Sequence, residues 1–326
     1  MEINSENAVQ TRQNTGSENR KAEIWAIGGG KGGTGKTFVV CQLATSLAAM
    51  GKRVILIDTD LGGANVHTFF GIKSTEKSIS RFFEKKDRLE DLLISTNIDR
   101  LSIICGNSST ISPSNVNYAQ KVRLFNHIRT LPADYILLDL GGGTNIDTID
   151  IFLLADKPIV VALPEITAIE NLYQFIKSAY FRKLKAILGD LNLKDRSKEI
   201  WQNRDQYGIH NIIELIEYLK TLSPEVEKSL EANLSDFSIN IVLNKVRNVR
   251  ELQEGFSIRS VCIKYIGINA LYAGYIEYDF QFWRNLSLIH SAPRFIVSHS
   301  TENEVYKIAG NIISGDQMKI DTLKFL

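Results

Sequence analysis

The sequence predicts an α/β protein built on a mostly parallel, doubly wound sheet in three α/β/α layers, with a helical insertion. Three observations carry that prediction. Short, nearly all-apolar runs recur, such as Arg53–Ile57 (RVILI), Tyr135–Leu138 (YILL) and Pro158–Leu163 (PIVVAL). Strands of that kind are covered on both faces, which a parallel sheet flanked by helices provides. Between them lie segments with apolar residues at helical spacing, the clearest being Val39, Val40, Leu43, Ala44, Leu47 and Ala48 on one face of Phe38–Met50. Finally, the first strand candidate, Glu23–Ile27 (EIWAI), runs straight into a glycine-rich loop and then into that helix.

Residues 1–20 hold almost no bulky apolar groups and cannot offset their own ordering entropy, so they are expected to form a disordered tail. The main domain is expected over 21–315. After the helix over Phe38–Met50, Gly51 suits a helix C-terminal cap, and Arg53–Ile57 follows as the second strand. Leu101–Cys105 and Tyr135–Leu138 are the next strands, with a helix around Val116–Thr130 between them. Pro158–Leu163, Ser238–Leu243 and Leu271–Tyr278 complete the set, and Glu302–Ile313 is a closing amphipathic helix. The interval 181–236 is charged and helical in pattern without a good strand, which marks it as the insertion. Its apolar residues, among them Trp201, Tyr207, Leu215 and Leu219, are expected to pack on the domain's own core. Phe280-Gln281-Phe282-Trp283 is expected to be buried near the same strand ends, and 316–326 form a C-terminal tail.

Composition excludes several function classes. Lys and Arg number 38 against 37 Asp and Glu, so there is no bulk charge for nucleic acid and no specific DNA binding is expected. The cysteines Cys41, Cys105 and Cys262 lie far apart, which argues against a disulfide framework, a zinc knuckle or a thiolate-held cluster. No apolar run reaches the roughly 18–20 residues that span a bilayer, and no secretory pattern opens the chain. A cytoplasmic protein is the expectation.

The strongest chemical signal is Gly28-Gly29-Gly30-Lys31-Gly32-Gly33-Thr34-Gly35-Lys36-Thr37. It contains G-x-x-x-x-G-K-[ST] from Gly30 to Thr37, in the strand–loop–helix context that a phosphate loop requires. Glycines let successive N–H groups turn toward phosphate oxygens, and the following helix directs its positive end at the same anion. Gly30, Lys31, Gly32, Gly33, Thr34, Gly35, Lys36 and Thr37 are therefore the candidate phosphate-binding residues. Lys36 bridges the β- and γ-phosphates in such a loop, and the Thr37 hydroxyl ligates Mg²⁺. Asp58-Thr59-Asp60 stands at the carboxyl end of the second strand, the edge where open parallel sheets bind ligands. Two acids at i and i+2 on an extended segment project the same way. Asp139-Leu140-Gly141-Gly142-Gly143 ends another apolar strand.

The second lysine gives the loop a more specific likeness. Its K-G-G-T-G-K-T text resembles the deviant Walker A motif of the MinD/ParA family of P-loop ATPases, and Asp60-Leu61-Gly62-Gly63-Ala64-Asn65 is most similar to the MinD-like branch that includes the flagellar regulator FlhG. The resemblance implies a P-loop NTPase fold, with ATP and Mg²⁺ as cofactors. It implies that Lys31 reaches across a homodimer interface to the partner's nucleotide. It further implies that Asp58 and Asp139 support Mg²⁺, that Asp60 orients the attacking water, and that Gly143 senses the γ-phosphate. Asn244-Lys245-Val246-Arg247 has a donor-only residue where guanine recognition needs a carboxylate, which favours ATP. Asn244 is the expected adenine contact, and Gly274-Tyr275-Ile276-Glu277-Tyr278-Asp279 resembles the family's G-x-I-P-x-D segment beside adenine, with Glu277 in place of the proline, which implies Tyr278 as a second contact.

The implied activity is slow ATP hydrolysis, stimulated by a protein partner and coupled to positioning a flagellum, division site or chromosome. The C-terminal tail has apolar residues but only two lysines against two aspartates, so weak peripheral membrane association is the most it suggests. An ATP-dependent ligase or synthetase on the same scaffold is the alternative; a GTPase is opposed by Arg247.

Overall fold

The computed structural model describes residues 21–60, 63, 65–72, 77–84, 86–106, 118–280 and 297–319. The expected N-terminal tail, Leu61, Gly62 and Ala64 of the acidic motif, 281–283 and the last seven residues lie outside them.

Strands β1 (Glu23–Gly28), β2 (Val54–Asp58), β3 (Ile94–Ser95), β4 (Leu101–Ile104), β5 (Tyr135–Asp139), β6 (Lys157–Ala162), β7 (Ser238–Val246) and β8 (Asn269–Glu277) form one sheet in the order β3-β4-β2-β5-β1-β6-β7-β8. Every pairing among these strands is parallel except that of β3 with β4. The parallel strands coincide with the apolar runs for a simple reason: neighbouring side chains point to opposite faces and both faces are buried. Ile24 and Ala26 enter the core on one side, while Trp25 and Ile27 enter the core on the other, all at 0% exposure. The antiparallel β3 has only two residues, too few for a periodic pattern to reveal.

The helices are α1 (Lys36–Ala49), α2 (Val66–Phe69), α3 (Ile79–Phe83), α4 (Tyr118–Ile128), α5 (Ile146–Leu153), α6 (Ile166–Asp190), α7 (Lys194–Gln202), α8 (Ile212–Lys220), α9 (Pro224–Ser235), α10 (Val249–Val261) and α11 (His299–Ser314). Helices α1 and α11 cover one face of the sheet; α5, α6 and α10 cover the other. Met50 ends α1 and Gly51 follows at φ +79°, the left-handed conformation that glycine adopts without Cβ strain.

The charged interval differs in one respect from its sequence outline. Phe181 lies inside α6, which starts at Ile166 and runs 25 residues, about 37 Å at 1.5 Å per residue. Aromatic packing of Phe152 on Phe175 (4.9 Å between centroids) and an Arg182–Asp150 ion pair at 2.7 Å fasten α6 to α5. In the insertion, Ile212, Leu215, Ile216 and Leu219 are buried in the domain's core, and Trp201, Tyr207, Ile213 and Tyr218 pack against it, as expected. Phe280 departs from expectation: it is 63% exposed rather than buried. The chain after α11 turns back along the sheet edge, where the Met318 N–H donates to the Tyr272 carbonyl at 3.0 Å.

Candidate functional site

The sheet order places β1 between β5 and β6, so the loop leaving β1 emerges at the centre of the carboxyl edge. Its glycines have distinct local reasons. A Cβ on Gly30 would lie 1.9 Å from the Asn171 carbonyl oxygen of α6, so this loop can approach that helix only without a side chain. Gly35 sits at φ +89° against the Asn244 amide, which a Cβ would strike at 2.2 Å. Gly32 and Gly33 face open space: among the described residues, no atom comes within 4 Å of where a Cβ on either would stand. The loop is thus pinned at both ends and open in the middle, which is the shape of an anion cradle.

Its two lysines are placed differently. Lys36 is 7% exposed, and its Nζ donates to the Lys31 carbonyl oxygen at 3.1 Å. Burial lowers the Lys36 pKa, opposed by the nearby Asp139 and Asp60 charges. The Lys31 residue is exposed and, among the described residues, has no ion-pair partner. Thr34 is 2% exposed, and its hydroxyl is buried without a hydrogen-bond partner among the described residues.

Parallel pairing of β2 with β5 sets Asp58 directly opposite Asp139, both buried. Asp58 accepts the N–H groups of Asp60 (3.1 Å), Asn65 (3.0 Å) and Val66 (3.2 Å), which ties the loop after β2 to the strand end. Burial pushes the Asp58 carboxyl up to about 6, with those N–H bonds holding it down. Asp139 is pushed up to about 8, by burial first and then by the Asp58 charge, against the Thr37 hydroxyl bond and Lys36. One carboxyl oxygen of Asp139 is buried with no partner among the described residues. Asp60 receives the Gly63 N–H at 3.1 Å and faces Gly141, where a Cβ would lie 3.3 Å from its carboxyl carbon. Gly142 lies against Gly32, and the Gly143 N–H reaches the Gly29 carbonyl at 3.4 Å, with φ +100° at Gly143.

These features test whether an anion with a hard cation fits. Two buried carboxyls with raised pKa values, an orphaned carboxylate oxygen and a threonine hydroxyl offer a dication oxygen donors and gain from its charge. Among the described residues no three His, Cys, Asp or Glu side chains form a metal cluster, so the cation needs ligand oxygens from elsewhere. Phosphate oxygens in the adjoining cradle meet that need. The residues fit a Mg²⁺–polyphosphate.

At the expected base edge, Asn244 has a role that sequence reading missed. It is 1% exposed; its amide donates to the Thr34 carbonyl at 2.9 Å, and its Oδ1 accepts from the Lys245 N–H at 3.0 Å. Asn244 therefore braces the phosphate loop from β7, a tertiary contact 210 positions apart that spacing could not reveal. Tyr278 is half-exposed, at 37%, with the Arg247 guanidinium 5.0 Å from its ring centroid. Cys41 is buried in α1 and burial pushes its thiol up, consistent with a packing role.

Comparison with known proteins agrees with this arrangement. The sequence matches the family model described as AAA domain over residues 22–189. It is 30% identical over 157 residues to the antiactivator FleN of Pseudomonas aeruginosa, an alignment spanning 48% of this chain and 55% of FleN, so about half of each. It is 27% identical over 237 residues to the chromosome partitioning protein ParA of Caulobacter vibrioides, covering 70% of this chain and 81% of ParA. Among solved structures, the septum site-determining protein MinD complexed with Mg-ADP from Pyrococcus horikoshii aligns with a TM-score of 0.56 at 19% identity, over 92% of this chain and all of that one. At that identity the likeness is one of fold.

Proposed function

The chain belongs to the AAA-domain family, as a P-loop protein of the MinD/ParA type, and from that premise we propose that it is an ATP-driven dimerisation switch. It binds ATP with Mg²⁺, pairs face to face with a second copy, hydrolyses ATP slowly until a protein partner speeds the step, and thereby positions or regulates a cellular assembly. The names of its relatives, an antiactivator, a flagellum site-determining protein, a partitioning protein and a septum site-determining protein, support that class of task and leave the cargo open among flagellum, division site and chromosome.

The observation that carries the reading is the unequal placement of two lysines in one loop. Lys36 is folded onto its own cradle, where it neutralises bound phosphate. Lys31 is exposed, placed to serve a nucleotide held by a twin molecule. A second cation supplied in trans stabilises charge developing on the transferred group and makes catalysis conditional on assembly.

A bound Mg²⁺ would supply positive charge to the phosphate oxygens. Thr37, Asp139 and Asp58 are the residues that would hold it from the protein side. Asp60, anchored by the Gly63 N–H and facing Gly141, orients the attacking water. Gly143, in the loop that touches Gly32, registers whether a γ-phosphate is present. Asn244 holds the loop from below and, with Tyr278, borders the adenine. No described helix is long and apolar enough to cross a membrane, so membrane contact in this reading is peripheral.

Light scattering on a sizing column tests the switch. Asp60→Ala with ATP and Mg²⁺ is expected at twice the 36.7 kDa protomer mass. Lys31→Ala is expected to stay monomeric while keeping the thermal shift given by nucleotide. A strictly monomeric Asp60→Ala that still binds ATP overturns the proposal.

A further inference from the structure

Lys245 holds a backbone conformation that its residue type rarely takes. Its φ is +62°, in the left-handed region, and its side chain is half-buried. Among the described residues, two other non-glycine residues have positive φ: Arg100, in the turn between β3 and β4, and Asn192, just past the end of α6. Of the three, Lys245 is the one inside a strand. It is an extra residue there, since Asn244 pairs with Ile276 and Val246 with Glu277, so β7 bulges at this point. The left-handed position of a bulge is usually glycine, because a Cβ crowds the backbone. Strain of this kind persists where the surrounding structure enforces it, and it gathers at functional sites.

The bulge fixes an amide. The Lys245 N–H donates to Asn244 Oδ1 at 3.0 Å, and Asn244 Nδ2 donates to the Thr34 carbonyl at 2.9 Å. Reversing the amide would set donor against donor at one end and acceptor against acceptor at the other, so Asn244 has one workable orientation. At 1% exposure it is shielded from solvent that could take over either bond. The Thr34–Gly35 peptide is trans and planar, so its C=O and N–H point in opposite directions. Holding that carbonyl toward β7 therefore turns the Gly35 N–H away from β7.

We infer that Lys245 is a positioning residue, whose left-handed main chain, and not its charge, locks the Asn244 amide and thereby presents the Gly35 N–H to bound phosphate. This role rests on the nucleotide reading above, since the phosphate is the one that reading places in the loop. A role through charge is the alternative, because the Lys245 ammonium has charged neighbours of its own. Burial lowers its pKa, the Glu165 carboxylate opposes that, and Arg247 adds to it. Substitutions that alter the backbone preference and the charge separately distinguish the two.

Mg-ADP titrated into the full chain in a calorimeter is the test. Lys245→Ala removes the ammonium but keeps an unbranched Cβ, and its dissociation constant is expected to stay within about threefold of the wild type. Lys245→Val puts a β-branched residue where φ is positive and is expected to weaken Mg-ADP at least about tenfold, the loss of one good hydrogen bond to an anion. Lys245→Gly, which takes that φ freely, is expected to restore wild-type binding. In ¹⁵N-labelled protein, the Gly35 amide is expected to shift on Mg-ADP binding in the wild type, Lys245→Ala and Lys245→Gly, and to stay in place in Lys245→Val. Lost stability alone would not produce that signature. A tenfold loss in Lys245→Ala, or wild-type binding by Lys245→Val, overturns the positioning role. Should Lys245→Val not fold, a comparable loss in either Lys245→Ala or Lys245→Gly overturns it, and wild-type binding by both supports it. A wild-type chain without saturable Mg-ADP binding overturns the nucleotide reading as well, whereas the variant outcomes leave that reading standing.

Discussion

The carboxyl edge of the sheet and the insertion α7–α9 handle polar groups in opposite ways. In the insertion, α8 and α9 are closed locally at their starts. Asn211 caps α8 through the Glu214 N–H at 3.0 Å, and Glu214 accepts from the His210 N–H at 2.6 Å; Ser223 caps α9 through Val226. Lys220 pairs with Glu217 at 2.8 Å. At the phosphate loop, α1 starts on Gly35 with no side-chain cap, and two carboxyls face each other. The Thr34 hydroxyl and an Asp139 oxygen lack partners among the described residues. The helices α8 and α9 satisfy their own first turns, whereas in the proposed reading the edge is completed by an anion and a cation. Of the buried polar atoms without partners among the described residues, Thr34 and Asp139 supply two at this edge and the helices α7–α9 supply none, and such groups gain from a ligand that completes them.

The largest effect expected of that difference comes from the loop lysine. Nucleotide at a hundred times its dissociation constant stabilises a protein by about 2.7 kcal/mol, on the order of 4 °C in a chain of this size. Lys36→Ala is expected to abolish that shift in a thermal melt with Mg-ATP. A wild-type-sized shift in this variant would mean that the edge does not depend on phosphate.

A somewhat smaller effect concerns pH. The raised carboxyl pKa of Asp139 means that the folded chain keeps a proton that the unfolded chain has released above about pH 4. Stability from this group is therefore full at acid pH and falls as pH rises through about 8. Across pH 6 to 8 the ligand-free protein is expected to lose about 1–2 kcal/mol, less with Asp139→Asn and less when Mg-ADP is bound. Denaturant melts at three pH values measure it, and a stability that increases over this range in the ligand-free protein contradicts the picture.

The smallest effect belongs to the insertion. Asn211→Ala removes one cap and is expected to lower stability by about 1 kcal/mol without altering the nucleotide-induced shift. A changed shift would show that the insertion communicates with the edge, for which α6, held against Gly30 at one end, is the connecting element.

Much of the site could be read from the chain because its parts are local. The phosphate loop is a run of consecutive residues, and each acid ends or follows an apolar strand, so strand–loop grammar alone brings Asp58, Asp60 and Asp139 to one edge. The brace from Asn244, the demand for glycine at Gly30 made by Asn171, and the exposure of Phe280 were not legible. Each depends on which distant element lies alongside, and single-chain periodicity carries no information about that.

Hydrophobic patterning was sufficient for the α/β class and for most strand positions, since a strand buried on both faces must be apolar throughout. The order of glycines, lysines and threonine was sufficient for an anion cradle. Strand order, the registration of Asp58 against Asp139, the raised affinity of that pair for a proton, and the bulge at Lys245 arose from packing. The reason is that burial and cross-strand distance set electrostatics and register, and both are properties of neighbours in space, which a chain specifies jointly through its whole core and not at any one position.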